Sequence, residues 1–201
     1  MGVAEICIDQ KQKRDELVEK LLSEFKNLLD SDKKKYIDFF SQYGIPLKEG
    51  LYQDFENKDS LLDLMCFKTN KSDEYITLKE YVDKMQKDQK SIFFLTGSKL
   101  SELKNSPLLE VCNKKNIQVL LMDHEIDEMV FGAMQKYKDY DFKSINHANA
   151  LEEIKDSESK DDKKTKTNVE PLIKKVKKVL GEKVKDVVSS DRLSDSPACV
   201  V

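Results

Sequence analysis

The sequence predicts an α/β chain, α+β overall: a helical connector, a small α/β/α layered unit, and a tethered, incomplete α+β segment. Three observations predict it. Apolar residues recur at intervals of three and four through residues 11–88. The period then changes to two short apolar runs of strand length, Ile92-Phe93-Phe94-Leu95-Thr96 and Ile117 to Leu121. A charge-dense run, Glu152 to Lys166, separates both from a last helical pattern.

In the first region Leu17, Val18, Leu21, Leu22, Phe25, Leu28 and Leu29 share a helical face. Asp30-Ser31-Asp32 breaks that helix and supplies a cap for the next, whose stripe is Tyr36, Phe39, Phe40 and Tyr43. Gly44 is expected to end this second helix, with Ile45-Pro46 blocking its continuation. A short helix is expected after Asp59, and the polar run Thr69 to Glu74 reads as a loop. Thr77 followed by Glu80 is a capping box for a helix carrying Leu78, Tyr81, Val82 and Met85. Residues 1–10 show no clear pattern.

In the layered unit, Gly97 ends the first strand and Ser98 is placed to cap a helix through about Lys104. Pro107 opens another helix near Leu108, Leu109, Val111 and Cys112. The near-continuous hydrophobicity of Ile117 to Leu121 indicates a strand covered on both faces. The helical crossover between the two strands favours parallel neighbours. Asp123 is then expected to cap a helix with a core stripe of Ile126, Met129, Val130, Ala133, Met134 and Tyr137. Its acidic first turn (Glu125, Asp127, Glu128) and basic last turn (Lys136, Lys138) suit the helix dipole. A short strand is expected near Phe142 to Ile145.

The domain reading is therefore an unmatched stretch at 1–10, a connector at 11–88, the layered unit at 89–150, a charged linker at 151–168 and an incomplete domain at 169–201. In the last part Thr167 and Glu170 form a second capping box, and Pro171 suits a first helical turn. Leu172, Ile173, Val176, Val179 and Leu180 line one side, lysines the other, and Gly181 ends the helix. A strand is expected to follow over Glu182 to Val187. A chain that stops soon after starting a domain reads as a piece of something larger.

Composition excludes several classes. The 201 residues are 36% charged and 39% hydrophobic with a net charge of -3, so no overall basic bias points to nucleic acid. No run approaches the roughly 18 apolar residues of a membrane helix, and the N-terminus lacks a secretory pattern. Cys7, Cys66, Cys112 and Cys199 have no paired spacing, which suits reduced thiols in a cytoplasmic protein better than a zinc site.

Candidate chemistry is sparse. Asp123-His124-Glu125 is a catalytic-looking cluster, but sequence neighbours at a helix start do not face one another, and an acidic cap with an exposed histidine is the default. Gly97-Ser98 lacks the glycines of a phosphate loop. The lysine face at Lys174 to Lys178 reads as the wet side of an amphipathic helix. Two apolar positions stand out: Phe131 lies off its helix's core stripe and Met129 at the stripe's edge, beside Glu128 and Gly132. An aromatic and a methionine at a helix surface offer an adaptable apolar contact, with domain packing as the alternative.

Several motifs occur in a recognisable order. They are Phe39-Phe40 with Tyr43-Gly44 and Leu47-Lys48-Glu49-Gly50, Leu78-Lys79-Glu80-Tyr81-Val82 with Met85, and Ile92 to Gly97. Ser106-Pro107-Leu108-Leu109-Glu110, Val119 to Met122 with Ile126-Asp127-Glu128, Leu180 to Val184, and Arg192 to Ala198 follow. Over residues 11–201 the chain resembles the heat-shock protein 90 chaperone family, in particular its bacterial branch. The resemblance implies the second half of a middle domain and the opening of a C-terminal dimerisation domain. It implies binding of unfolded or partly folded client proteins, and a parent that uses ATP and Mg in an N-terminal domain and forms a homodimer. Neither that nucleotide site nor the dimerising helices match residues of this chain. The expectation is thus no cofactor, metal or catalytic residue here, and no nucleic-acid or membrane partner. Carried onto this sequence, the client surface is Glu128, Met129, Phe131 and Gly132. An inert or regulatory interaction module from a truncated chaperone gene is the alternative.

Overall fold

A computed structural model describes residues 3–87, 89–147 and 170–187, together with residues 189, 196 and 198. The chain opens on two long helices, α1 (Val3–Ser31) and α2 (Lys33–Gln53). The expected break is where the acidic residues place it: the Asp32 side chain accepts the Lys35 N–H at 3.0 Å and caps α2. The two helices pack through Phe25 on Phe39, ring centroids 4.7 Å apart, with Tyr43 stacked on Phe39 at 5.2 Å.

The expected stop at Gly44 is corrected, because α2 runs on through Pro46 to Gln53. Gly44 is buried in mid-helix against Phe40, where an added Cβ would lie 3.1 Å from the ring. Close packing, not a left-handed turn, is what this glycine serves. Pro46 and Gln42 lie on the exposed face, where water can satisfy the carbonyl that proline leaves without a donor.

After α3 (Lys58–Leu64) comes a second correction. The stretch read as a loop within a helical region is a hairpin of β1 (Cys66–Thr69) and β2 (Ser72–Thr77). Thr69 Oγ1 accepts the N–H groups of Lys71 and Ser72 at 3.3 and 3.2 Å and closes its turn. Then α4 (Leu78–Asp83) starts at the expected capping box, with Thr77 and Glu80 exchanging backbone N–H bonds at 3.1 and 2.8 Å.

The layered unit follows the sequence reading more closely. It consists of β3 (Ser91–Thr96), α5 (Leu100–Lys104), a 3₁₀ turn at Pro107–Leu109, α6 (Glu110–Lys114) and β4 (Leu120–Met122). The expected parallel pairing of β3 with β4 is present. Lys99, not Ser98, takes the cap position of α5. Next comes α7 (Glu125–Ala133), capped at His124 and not at Asp123. It ends earlier than expected, because Lys136 and Tyr137 form β5 (Lys136–Tyr137), which turns into β6 (Tyr140–Ser144). Buried Tyr137 fixes that hairpin by donating to Asp63 Oδ1 at 2.7 Å.

All six strands form one mixed sheet in the order β2-β1-β4-β3-β6-β5. The β1–β2 hairpin pairs antiparallel with β4, so the sheet spans the sequence boundary expected at 88/89. Alternation divides its core in two. Ile92, Phe94, Leu120 and Met122 face Tyr36, Phe40, Leu62, Val130 and Phe131. Phe93, Leu95, Val119 and Leu121 face Leu103, Leu109 and Cys112. Both faces are covered, which is the expected α/β/α layering.

The final described helix, α8 (Glu170–Leu180), stops at Gly181, whose φ is +54°. Its apolar side is largely open, with Val179 78% exposed. A 3₁₀ turn (Gly181–Lys183) and irregular backbone occupy 181–187, where a strand was expected. The charged run at Glu152 to Lys166 and the capping box at Thr167 lie outside the described residues.

Candidate functional site

The candidate site is the helix α7 and the polar cluster beside it. A nine-residue helix buries whichever side meets the core, and here that side is Asp127, Val130 and Phe131, with Met134 just beyond the helix end. Phe131 is 1% exposed and meets the rings of Phe67 and Phe142 edge-on at 5.3 and 5.4 Å. The expectation that it lies off the core stripe is thereby corrected. Met129, expected at the stripe's edge, is 51% exposed, and Glu128 and Gly132 are exposed with it. A Cβ at Gly132 would meet nothing within 4 Å. Of the four residues named from sequence, three share the open side of α7 and Phe131 supports them from beneath.

A carboxylate is buried in this setting. The Asp127 side chain is 0% exposed and its Oδ1 lies 2.6 Å from Lys48 Nζ, itself 4% exposed. The ammonium is not aligned for a directional hydrogen bond to that oxygen, so the contact is ionic. Asp127 Oδ2 accepts the His124 N–H at 3.2 Å, closing the first turn of α7. Lys48 Nζ also lies 3.3 Å from His124 Nδ1 and 5.4 Å from the centre of the Phe67 ring. One buried lysine on α2 therefore touches the cap of α7, its first turn and the ring beneath Phe131.

Asp123, His124 and Asp127 bring ligand atoms within 4.8 Å of one another, a spacing that a metal ion could bridge. The Lys48 ammonium already sits against two of the three and supplies the positive charge such a cluster would otherwise seek. A cleft beside it is lined by Phe40, Lys68, Tyr75 and Cys66. Burial pushes the Cys66 thiol up to about 12, and so keeps it protonated and a poor nucleophile. Burial, with Asp123 nearby, also raises the Tyr75 phenol.

Sequence reading missed Lys48 as a site residue. The signal was present: Phe40, Gly44, Lys48 and Leu51 fall on one side of α2, and a lysine amid a core stripe needs a buried partner.

A family model described as Hsp90 protein matches residues 10–201, nearly the whole chain. The chain belongs to the Hsp90 family of chaperones. It is 44% identical over 189 residues to the chaperone protein HtpG of Treponema denticola, a match covering 92% of this chain and 30% of that protein. HtpG of Campylobacter jejuni is 43% identical over 184 residues, covering 92% and 29% respectively. The chain thus spans about 30% of the length of the curated relatives it matches. Among solved structures, the middle domain of a Plasmodium falciparum heat shock protein superposes with a TM-score of 0.63 at 31% identity, covering 67% of this chain and 57% of that one. The HtpG-like resemblance read from motifs is borne out.

Proposed function

We propose that this chain contributes a client-binding surface to an ATP-driven chaperone and does not itself turn over nucleotide. The observation that supports the surface is the half-exposed Met129, held on a helix whose other side is locked into the core. Glu128 and Gly132 complete it: a flexible thioether, a carboxylate and bare backbone make an adaptable contact for unfolded or partly folded protein. Phe131 acts as its support. The family's ATP and Mg chemistry belongs, on this reading, to a region other than the residues described here. The full-length assembly would be a cytoplasmic homodimer. No described helix is long and apolar enough to cross a membrane.

The test is binding of a permanently unfolded, carboxymethylated protein to the chain, with and without Met129→Ala. Weaker binding by a variant of unchanged stability supports the surface, and equal affinity removes it. Calorimetry with ATP and Mg tests the second half of the reading, since saturable nucleotide binding by this chain would contradict it.

A further inference from the structure

We propose that Lys48 is a positioning residue that sets the rotation of α7, and so decides that Met129 faces outward. The inference rests on the client-surface reading for its purpose but on separate geometry for its mechanism. The apolar stripe read from the sequence is Ile126, Met129, Val130, Ala133, Met134 and Tyr137, whereas the buried stripe of α7 and the residue after it is Asp127, Val130, Phe131 and Met134. At about 100° per residue the two settings differ by roughly 90° about the helix axis. In the sequence-favoured setting Met129 would be covered, and Asp127 and Phe131 would turn towards solvent. The observed setting gains the burial of Phe131 but also buries a carboxylate and exposes a methionine, so it depends on that carboxylate being compensated.

Lys48 supplies that compensation. Its ammonium compensates Asp127 at 2.6 Å inside the protein and lies 3.3 Å from Nδ1 of the capping residue His124. Removing that charge leaves Asp127 buried without its cation and near a second carboxylate, Asp123, a state that rotation of the helix relieves. The charges facing Asp127 are thus Lys48 from α2, and Asp123 and His124 from the turn before α7. The helix has two competing settings, and a residue on a different element biases them.

The experiment reads the setting directly. Met129→Cys is introduced into a chain with Cys7→Ser and Cys199→Ser, leaving Cys66 and Cys112 buried. Labelling of position 129 by a water-soluble maleimide is then timed. Lys48→Met slows it about tenfold, the change expected if the open setting falls from nearly full occupancy to about one tenth. Lys48→Arg, which keeps the charge, labels like the parent. Lys48→Met combined with Asp127→Leu, which removes both charges, recovers the rate. Unchanged labelling in Lys48→Met overturns the proposal, as does slowing that the double variant fails to reverse. Should Lys48→Met fail to fold by circular dichroism, Lys48→Gln replaces it, and slowing or no slowing decides in the same way. Binding of the carboxymethylated protein is measured with Met129 intact. If labelling responds to Lys48 while binding does not, the positioning role stands and the client-surface reading falls.

Discussion

The Tyr81 hydroxyl donates to the Gln118 carbonyl at 2.7 Å and accepts the Phe93 N–H at 3.0 Å. One phenol on α4 therefore joins β3 to the segment entering β4, deep in the protein. Burial holds this phenol far above its usual range, so it remains a donor throughout. Tyr81→Phe keeps the ring and strips both backbone groups of their partner. The expected loss is about 1–3 kcal/mol for each orphaned group. Urea denaturation should show a lower midpoint with an unchanged slope.

Acid should act through Glu80. Burial raises its carboxyl, but the bonds from Lys33 Nζ at 2.6 Å and the Thr77 N–H at 2.8 Å prevail, and its pKa is lowered from 4.5. The folded state therefore binds this proton less readily than the unfolded chain. The stabilisation is complete above the unfolded value and disappears as pH falls below it. Glu80→Gln should flatten that part of the acid limb in unfolding curves and cost about 1 kcal/mol near neutrality through the weakened cap.

On the alkaline side the buried thiols contribute, together with the phenols of Tyr36, Tyr81 and Tyr137, which burial also raises. Burial pushes both Cys66 and Cys112 from 9.0 up to about 12. Between those values the unfolded chain has lost protons that the folded chain keeps, so stability falls as pH rises through the window. Cys66→Ala together with Cys112→Ala should shallow this alkaline decline. In the native wild-type chain neither thiol should react with a disulfide reagent, and both should react after denaturation.

Met129 and Phe131 should part company under mutation. Phe131→Ala opens a cavity among Phe67, Phe94 and Phe142 and should cost about 3–5 kcal/mol. Met129→Ala, on the open side, should change stability by no more than about 0.5 kcal/mol. The same substitution should weaken binding of an unfolded protein about fivefold or more. Thermal melts and a binding titration on the two variants separate the roles.

Much of this was legible in the residues. The Thr77–Glu80 box, the Asp32 cap and the β3–β4 crossover are local or rest on continuous apolar runs. What escaped depended on remote partners. Ser72, Asp73 and Glu74 show no strand composition, and become a strand because β1 beside them pairs with β4. Pro46 reads as a stop until α2 is seen to hold it on a wet face. For α7, polarity assigned Asp127 to water, whereas a lysine from another helix took it into the core.

The sheet order has a consequence for how the chain is made. In synthesis order, β1 and β2 emerge well before β4, the strand that covers the inner edge of their hairpin. Until then the backbone donors and acceptors on the β4 side of β1 have no strand to meet, and a two-stranded ribbon is marginal alone. Closure must therefore await a distant segment, which places it late in folding. During that interval the open rim of β1 is a point at which a nascent chaperone would itself be prone to join a neighbour.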